Sequence, residues 1–402
     1  MKKHYSKVLS KRTIIFLRDV FAYTLSAFGG PQAHFALMLR QFVIKRKYLN
    51  ENELIELNAL CQMLPGPAST QTLVAIAFRF GGYRVAIFAF FIWILPSACL
   101  MAIAAICFSY FDLGTIAQSR LQVIQAMAVG IIGYAGFKLS LLFIKSIWVF
   151  LLALFSFLAT IYFRTPYVFP ITLIAGATLA AIFNKLEPDQ EKYILQVNWK
   201  KLLLFIGILL LFALLGMLIN RTSFFSLPIR LFENFYRNGI LVFGGGQVLI
   251  PMLYTEFVEL KKYLTAQEFL SAVALQQAMP GPVFSFTSFV GSITMRNYGI
   301  AGQILGAIIA VIAINLPGMI LILFIYPIWD NLKKIQMIKQ SFKGINAVSV
   351  GFVFAAFFLL LKPIGLNYIN ILIIGFTFSL LTFTKIPPWL IIIGGIGISF
   401  LL

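Results

Sequence analysis

Residues 28–67 recur, without a gap, 215 positions later at 243–282. Phe28-Gly29-Gly30 falls on Phe243-Gly244-Gly245, Gln32 on Gln247, and Lys47-Tyr48-Leu49 on Lys262-Tyr263-Leu264. Glu53 then meets Glu268, Ala59-Leu60 meets Ala274-Leu275, and Gln62 meets Gln277. The register closes with Pro65-Gly66-Pro67 over Pro280-Gly281-Pro282. Farther on the offset grows to 221, where Pro96 meets Pro317 and Ala126–Gly130 meets Ala347–Gly351. Biased composition produces scattered Leu or Ile matches, but not an ungapped register of Gly, Gln, Tyr, Glu and Pro-Gly-Pro. The chain is therefore read as two homologous halves, 1–183 and 221–402, joined by a linker and connecting helix at 184–220.

The solvent for these halves follows from composition. Of 402 residues, 60% are apolar and 11% charged, against about 45–50% and about 25% in a soluble domain. That excludes a cytosolic enzyme, a disulfide scaffold and a disordered chain. Apolar runs of the length that crosses a bilayer, roughly 20 residues, or somewhat shorter occur at 85–110, 121–143, 147–163, 167–183, 202–219, 300–327, 344–361, 366–383 and 387–402. Four further apolar segments are interrupted at Gly29-Gly30-Pro31, Pro65-Gly66-Pro67, Gly244-Gly245-Gly246 and Pro280-Gly281-Pro282. Proline removes a backbone donor and glycine weakens a helix, so each segment breaks there. The freed N–H and C=O groups must then face protein or a water-filled cavity. The expected fold is an all-α polytopic membrane protein with Gly/Pro-broken, re-entrant helices.

Charge gives the orientation. The 32 Lys and Arg exceed the 13 Asp and Glu, a net +19, and they cluster between apolar runs with no basic stripe suited to nucleic acid. Loop 40–56 carries Arg40, Lys45, Arg46 and Lys47, while its counterpart 255–268 carries two bases. Loop 111–120 carries only Arg120, while 328–343 carries Lys333, Lys334, Lys339 and Lys343. Opposite bias in matching loops means opposite orientation under the positive-inside rule. The halves are expected as an inverted-topology repeat, with the basic N-terminus retained on the cytoplasmic side. Asn50-x-x-Glu53 and Thr265-x-x-Glu268 read as capping boxes at polar helix starts.

Inverted repeats with paired discontinuous helices point to a secondary transporter whose site lies between the repeats. A half-helix N-terminus offers unpaired N–H groups and about half a positive charge, and glycine lets an anion approach the backbone. The candidate substrate-binding set in the first half is Gly29, Gly30, Pro31, Gln32, His34, Gln62, Pro65, Gly66, Pro67 and Gln71. In the second half it is Gly244, Gly245, Gly246, Gln247, Gln277, Pro280, Gly281, Pro282 and Ser285. Arg79 and Arg296, just beyond each Pro-Gly-Pro helix, are expected to add positive potential at the entrance, although such residues also serve as interface anchors. All 13 acids fall in loops or at segment ends, whereas a cation carrier keeps a carboxylate in its path; an anion is the better substrate. Cys61, Cys99 and Cys107 have no metal-ligand spacing and read as small buried hydrophobes. No metal, cofactor or catalytic constellation is expected, and no phosphate-binding loop for ATP hydrolysis.

Gly29-Gly30-Pro31-Gln32-Ala33-His34, the stretch Gln62-Met63-Leu64-Pro65-Gly66-Pro67 and the later Leu95-Pro96-Ser97 resemble the first-half signature of the chromate ion transporter family. Phe243-Gly244-Gly245-Gly246 and Gln277-Ala278-Met279-Pro280-Gly281-Pro282 are similar to the second-half signature of its long, two-domain members. The resemblance implies a transporter of the plasma (inner) membrane that exports chromate, a divalent oxyanion, and gives chromate resistance. The alternatives are another small anion such as sulfate, or an anion channel-like protein. The expected partners are the oxyanion and the lipid bilayer; a homodimer stays open.

Overall fold

The computed structural model describes residues 11–110, 115–183, 226–243, 245–328, 336–384 and 386–401, together with Gly207 and Leu211. The expected linker and connecting span at 184–220 otherwise lie outside the described residues, as does Gly244. Among the described residues every regular element is helical.

The duplication in sequence becomes a duplication of elements. In the first half, α1 (Lys11–Ser26) stops before the glycine pair, and α2 (Gly30–Met38) runs on as a π-helix over Leu39–Lys45. Helix α3 (Glu51–Met63) ends at the Pro-Gly-Pro triplet, after which the long α4 (Ala68–Tyr110) begins. In the second half, α8 (Ser226–Leu241) precedes a 3-10 turn at Gly246–Val248, then α9 (Leu249–Leu253) and a π-helix over Tyr254–Leu260. Next come α10 (Ala266–Ala278), a 3-10 turn over Val283–Ser285 and α11 (Phe286–Thr294). Both π-helices, both capping boxes and both left-handed lysines, Lys47 and Lys262, fall at matching positions. A π-helix is rare, so its double occurrence is inherited geometry. At about 1.5 Å per residue, Gly30–Lys45 reaches only about 24 Å, short of a bilayer core of about 30 Å.

The remaining elements are the span-forming frame: α5 (Thr115–Phe143), α6 (Ile147–Phe163) and α7 (Val168–Phe183) in the first half. The second half has α12 (Gly299–Ile325), α13 (Gln336–Ile364), α14 (Tyr368–Phe383) and α15 (Pro388–Leu401). Four stretches, 68–110, 121–143, 296–325 and 340–364, are long and apolar enough to cross a membrane. Large apolar side chains point outward from these helices, with Trp148, Tyr162, Tyr167, Tyr368 and Phe383 exposed near helix ends, where aromatic residues meet the membrane interface. Cys99 and Cys107 also face outward, against expectation, because they sit on the outer side of α4; Cys61 is buried as expected.

The halves are interleaved. Helix α13 packs on α6 and α7, while its counterpart α5 packs on α14 and α15. Small residues permit the close approach that membrane helices need. Gly344 lies against the Gly176 carbonyl, and Gly351 against Ser156 and Ala153. On the opposite side Gly130, the counterpart of Gly351, faces the Ile374 carbonyl and Thr377. Ser156 Oγ donates to the Val348 carbonyl at 2.9 Å, tying α6 to α13.

Candidate functional site

The glycine breaks turn the chain by backbone conformations closed to most side chains. Gly29 and Gly30 have φ of 92° and 83°, and Gly245 has φ of 109°. Helix α2 and the turn at Gly246 therefore begin abruptly, and neither start has a side-chain cap. Their first N–H groups are left for another partner.

The Pro-Gly-Pro triplets lock the two halves together reciprocally. Gly66 N donates to the Val242 carbonyl at 2.7 Å, and Gly281 N donates to the Ala27 carbonyl at 2.8 Å. Val242 and Ala27 are equivalent residues, each one position before Phe-Gly-Gly. Each triplet thus docks on the entry to the other half's glycine break. The pairing extends to the Pro-bearing long helices: a Cβ on Gly66 would stand 3.0 Å from Gly318 Cα, and one on Gly281 2.7 Å from Ser97 Cβ. Ser97 and Gly318 again match, each following the helix prolines Pro96 and Pro317.

Between these breaks lies a cavity of about 180 Å³. Gly29, Gly30, Pro31, Gln62 and Gly66 reach it from the first half, and Gly245, Gly246, Gln247 and Gln277 from the second. Two uncapped helix starts and the matched amides Gln62 and Gln277 therefore share one space. Its other walls come from Cys61, the end of α5 with Ile131, Tyr134 and Lys138, and Asn346 on α13. None of the described lining residues is acidic.

Several expected site residues do other work. Gln71 Nε2 donates to the Pro65 carbonyl at 2.8 Å and to the Gly318 carbonyl at 3.1 Å, so it braces the first triplet rather than the cavity. His34 is fully buried, edge-on to Trp93 at 5.3 Å between ring centroids, in the aromatic packing around α1 and α4. Pro65, Pro67, Pro280, Gly281, Pro282 and Ser285 do not line the cavity; the second triplet is turned toward Ser97. The Gln32 side chain lies outside the described atoms.

The two arginines are not free entrance charges. Arg79 binds Glu53 through both terminal nitrogens, and Arg296 binds Glu268. Those glutamates are the N3 residues of the capping boxes, in which Asn50 Oδ1 and Thr265 Oγ1 accept from the Glu53 and Glu268 amides. The Arg79 guanidinium holds the Glu53 carboxyl below its usual range. Sequence spacing alone did not reveal this pairing, since 26 residues separate Arg79 from Glu53.

The acids also need correction. Asp19, Glu233 and Glu256 are buried. Asp19 accepts from Arg46 at 2.7 Å and from the Tyr48 hydroxyl at 2.5 Å. Glu256, with 1% of its surface exposed, accepts from Arg237 at 2.6 Å, Asn238 at 2.6 Å and Lys261 at 2.8 Å. A buried carboxylate persists when paired and hydrogen-bonded, and these three are compensated away from the cavity.

Lys138, Tyr134 and Asn346 lie outside the Gly/Pro-broken segments, so glycine and proline spacing does not point to them. The available signal was a base inside the apolar run 121–143, which is unusual within a span.

Paired broken helices, cross-docked between two homologous membrane-embedded halves around one cavity, define a membrane transporter. The chain matches the chromate transporter family over residues 15–182 and 229–400 and belongs to it. It is 27% identical to the chromate transport protein of Cupriavidus metallidurans over 94% of this chain and 91% of that one. Identity is 28% to a probable chromate transport protein of Synechococcus elongatus, over 81% and 78% of the two chains. The chromate transport protein of Pseudomonas aeruginosa is 26% identical over 82% and 76%. No solved structure matches.

Proposed function

We propose that this protein is a secondary transporter that exports a divalent oxyanion, chromate first, through the cavity between the two glycine breaks. One observation carries this reading: both uncapped helix starts and the amides Gln62, Gln247 and Gln277 converge on a single space without a carboxylate. Uncapped N–H groups and amide donors suit oxyanion oxygens, and a helix start adds positive potential. A nearby uncompensated carboxylate would repel the substrate. Moving a dianion out of a negative-inside cell is electrically downhill by about 2.3 kcal/mol per charge per 100 mV. The names of the relatives in Cupriavidus metallidurans and Pseudomonas aeruginosa favour chromate. The donor set suits sulfate equally, which is the second reading.

Everted inner-membrane vesicles containing the protein are expected to accumulate labelled chromate, with sulfate competing. Accumulation against a gradient distinguishes a carrier from a channel. Uptake of neither ion refutes the oxyanion reading.

The reading also places the halves in opposite orientations, with the N-terminus cytoplasmic. Single cysteines at Asn50 and Thr265, the matched helix caps, are expected to react with a membrane-impermeant thiol reagent from opposite sides. Labelling of both from one side overturns the inverted arrangement.

A further inference from the structure

We propose that Lys138 supplies the full positive charge that selects a doubly charged substrate, so that the first half contributes to charge recognition what the second half does not. This rests on the oxyanion reading above and names the group that sets its charge class.

Three observations converge on Lys138. Among the described residues lining the cavity it is the one Lys or Arg, and the other polar side chains there are the amides of Gln62, Gln247, Gln277 and Asn346, the Tyr134 hydroxyl and the Cys61 thiol. Its ammonium stands 5.6 Å over the Tyr134 ring, also a lining residue. A cation over an aromatic face is attracted without being neutralised. Arg46, Arg79, Arg164, Arg237, Lys261 and Arg296 each meet a carboxylate, and Lys138 meets none among the described residues. Its side chain is exposed at the cavity wall, so the ammonium is accessible to a substrate and carries no ion pair that would have to break first.

The duplication separates this residue from the frame. At the offset of 221 that relates α5 to α13, Lys138 and Tyr134 correspond to Leu359 and Ala355, both buried. The second half fills the equivalent surface with packing, so the ammonium is an addition peculiar to one half. A lysine near a span end also serves as an interface anchor; Lys145, which donates to the Leu141 carbonyl just beyond α5, is the built-in control for that role.

Uptake of labelled chromate into everted vesicles, with membrane levels matched, tests the assignment. Lys138→Met is expected to raise the KM for chromate about tenfold or more, since losing one member of a charge pair weakens binding on that scale. It should also abolish the preference for sulfate over nitrate as competitor. Lys138→Arg should restore most of both, and Lys145→Met should change neither. Wild-type KM and wild-type discrimination in Lys138→Met overturn the assignment while leaving the transporter intact. If the unmodified protein takes up neither chromate nor sulfate, the oxyanion reading falls and this assignment falls with it.

Discussion

Vesicles bearing Gly66→Leu or Gly281→Leu are expected to contain normal amounts of inserted protein yet accumulate chromate only at background. Both glycines have φ near +115° (116° and 114°), a strained region that costs a residue with a Cβ about 1–3 kcal/mol. At position 66 the new carbon also meets Gly318 Cα, which is backbone and cannot swing aside, and at position 281 it meets Ser97. Overpacking of this kind costs about 1–3 kcal/mol. The triplet must therefore move, and its amide bond to the opposite half moves with it. Gly66 forms the cavity wall, and Gly281 holds Ala27, two residues before the Gly29 turn. Leucine is more apolar than glycine, which favours the membrane, so insertion persists; labelled-chromate uptake with a membrane immunoblot measures the two effects separately. Wild-type rates in both variants would mean that the triplets are simple kinks.

The largest effect on stability is expected at the crossings between halves. Gly344→Val and Gly351→Val each drive a branched side chain into the backbone of α7 or α6, where even the first added carbon would overlap the Gly176 carbonyl, or Ser156 and the Ala153 carbonyl. Each should lower the thermal unfolding temperature in detergent, corresponding to about 1–3 kcal/mol or more. Gly375→Val on α14, where an added Cβ meets nothing within 4 Å, is the matched control and should shift it little. Equal behaviour of all three variants would show that the α6–α13 and α7–α13 contacts do not limit stability.

Much of the frame was legible before any coordinates. Glycine and proline report backbone events directly, so the four breaks and both capping boxes were readable, as was the two-half plan that the repeat encodes. Half of the candidate site was readable too, since Gln62 and Gln277 flank breaks that must avoid lipid. What escaped depends on contacts distant in sequence. Nothing local says that Arg79 reaches Glu53, that Gln71 braces Pro65, or that Glu256 is buried among Arg237, Asn238 and Lys261. The asymmetry escaped for a different reason: a search for repeats finds what the halves share, whereas Lys138 is what they do not share.

The interleaving of α13 with α6 and α7 has a consequence in time. Synthesis at about 5–20 residues per second leaves roughly 8–30 s between the end of α7 and the start of α13. During that interval the faces carrying Gly176 and Ser156 have no partner except lipid. Ser156 also donates to the Ala153 carbonyl of its own helix at 3.0 Å, so its hydroxyl is satisfied while it waits. The contacts that bring α6 and α7 onto the second half can form only after residues 336–364 have been made.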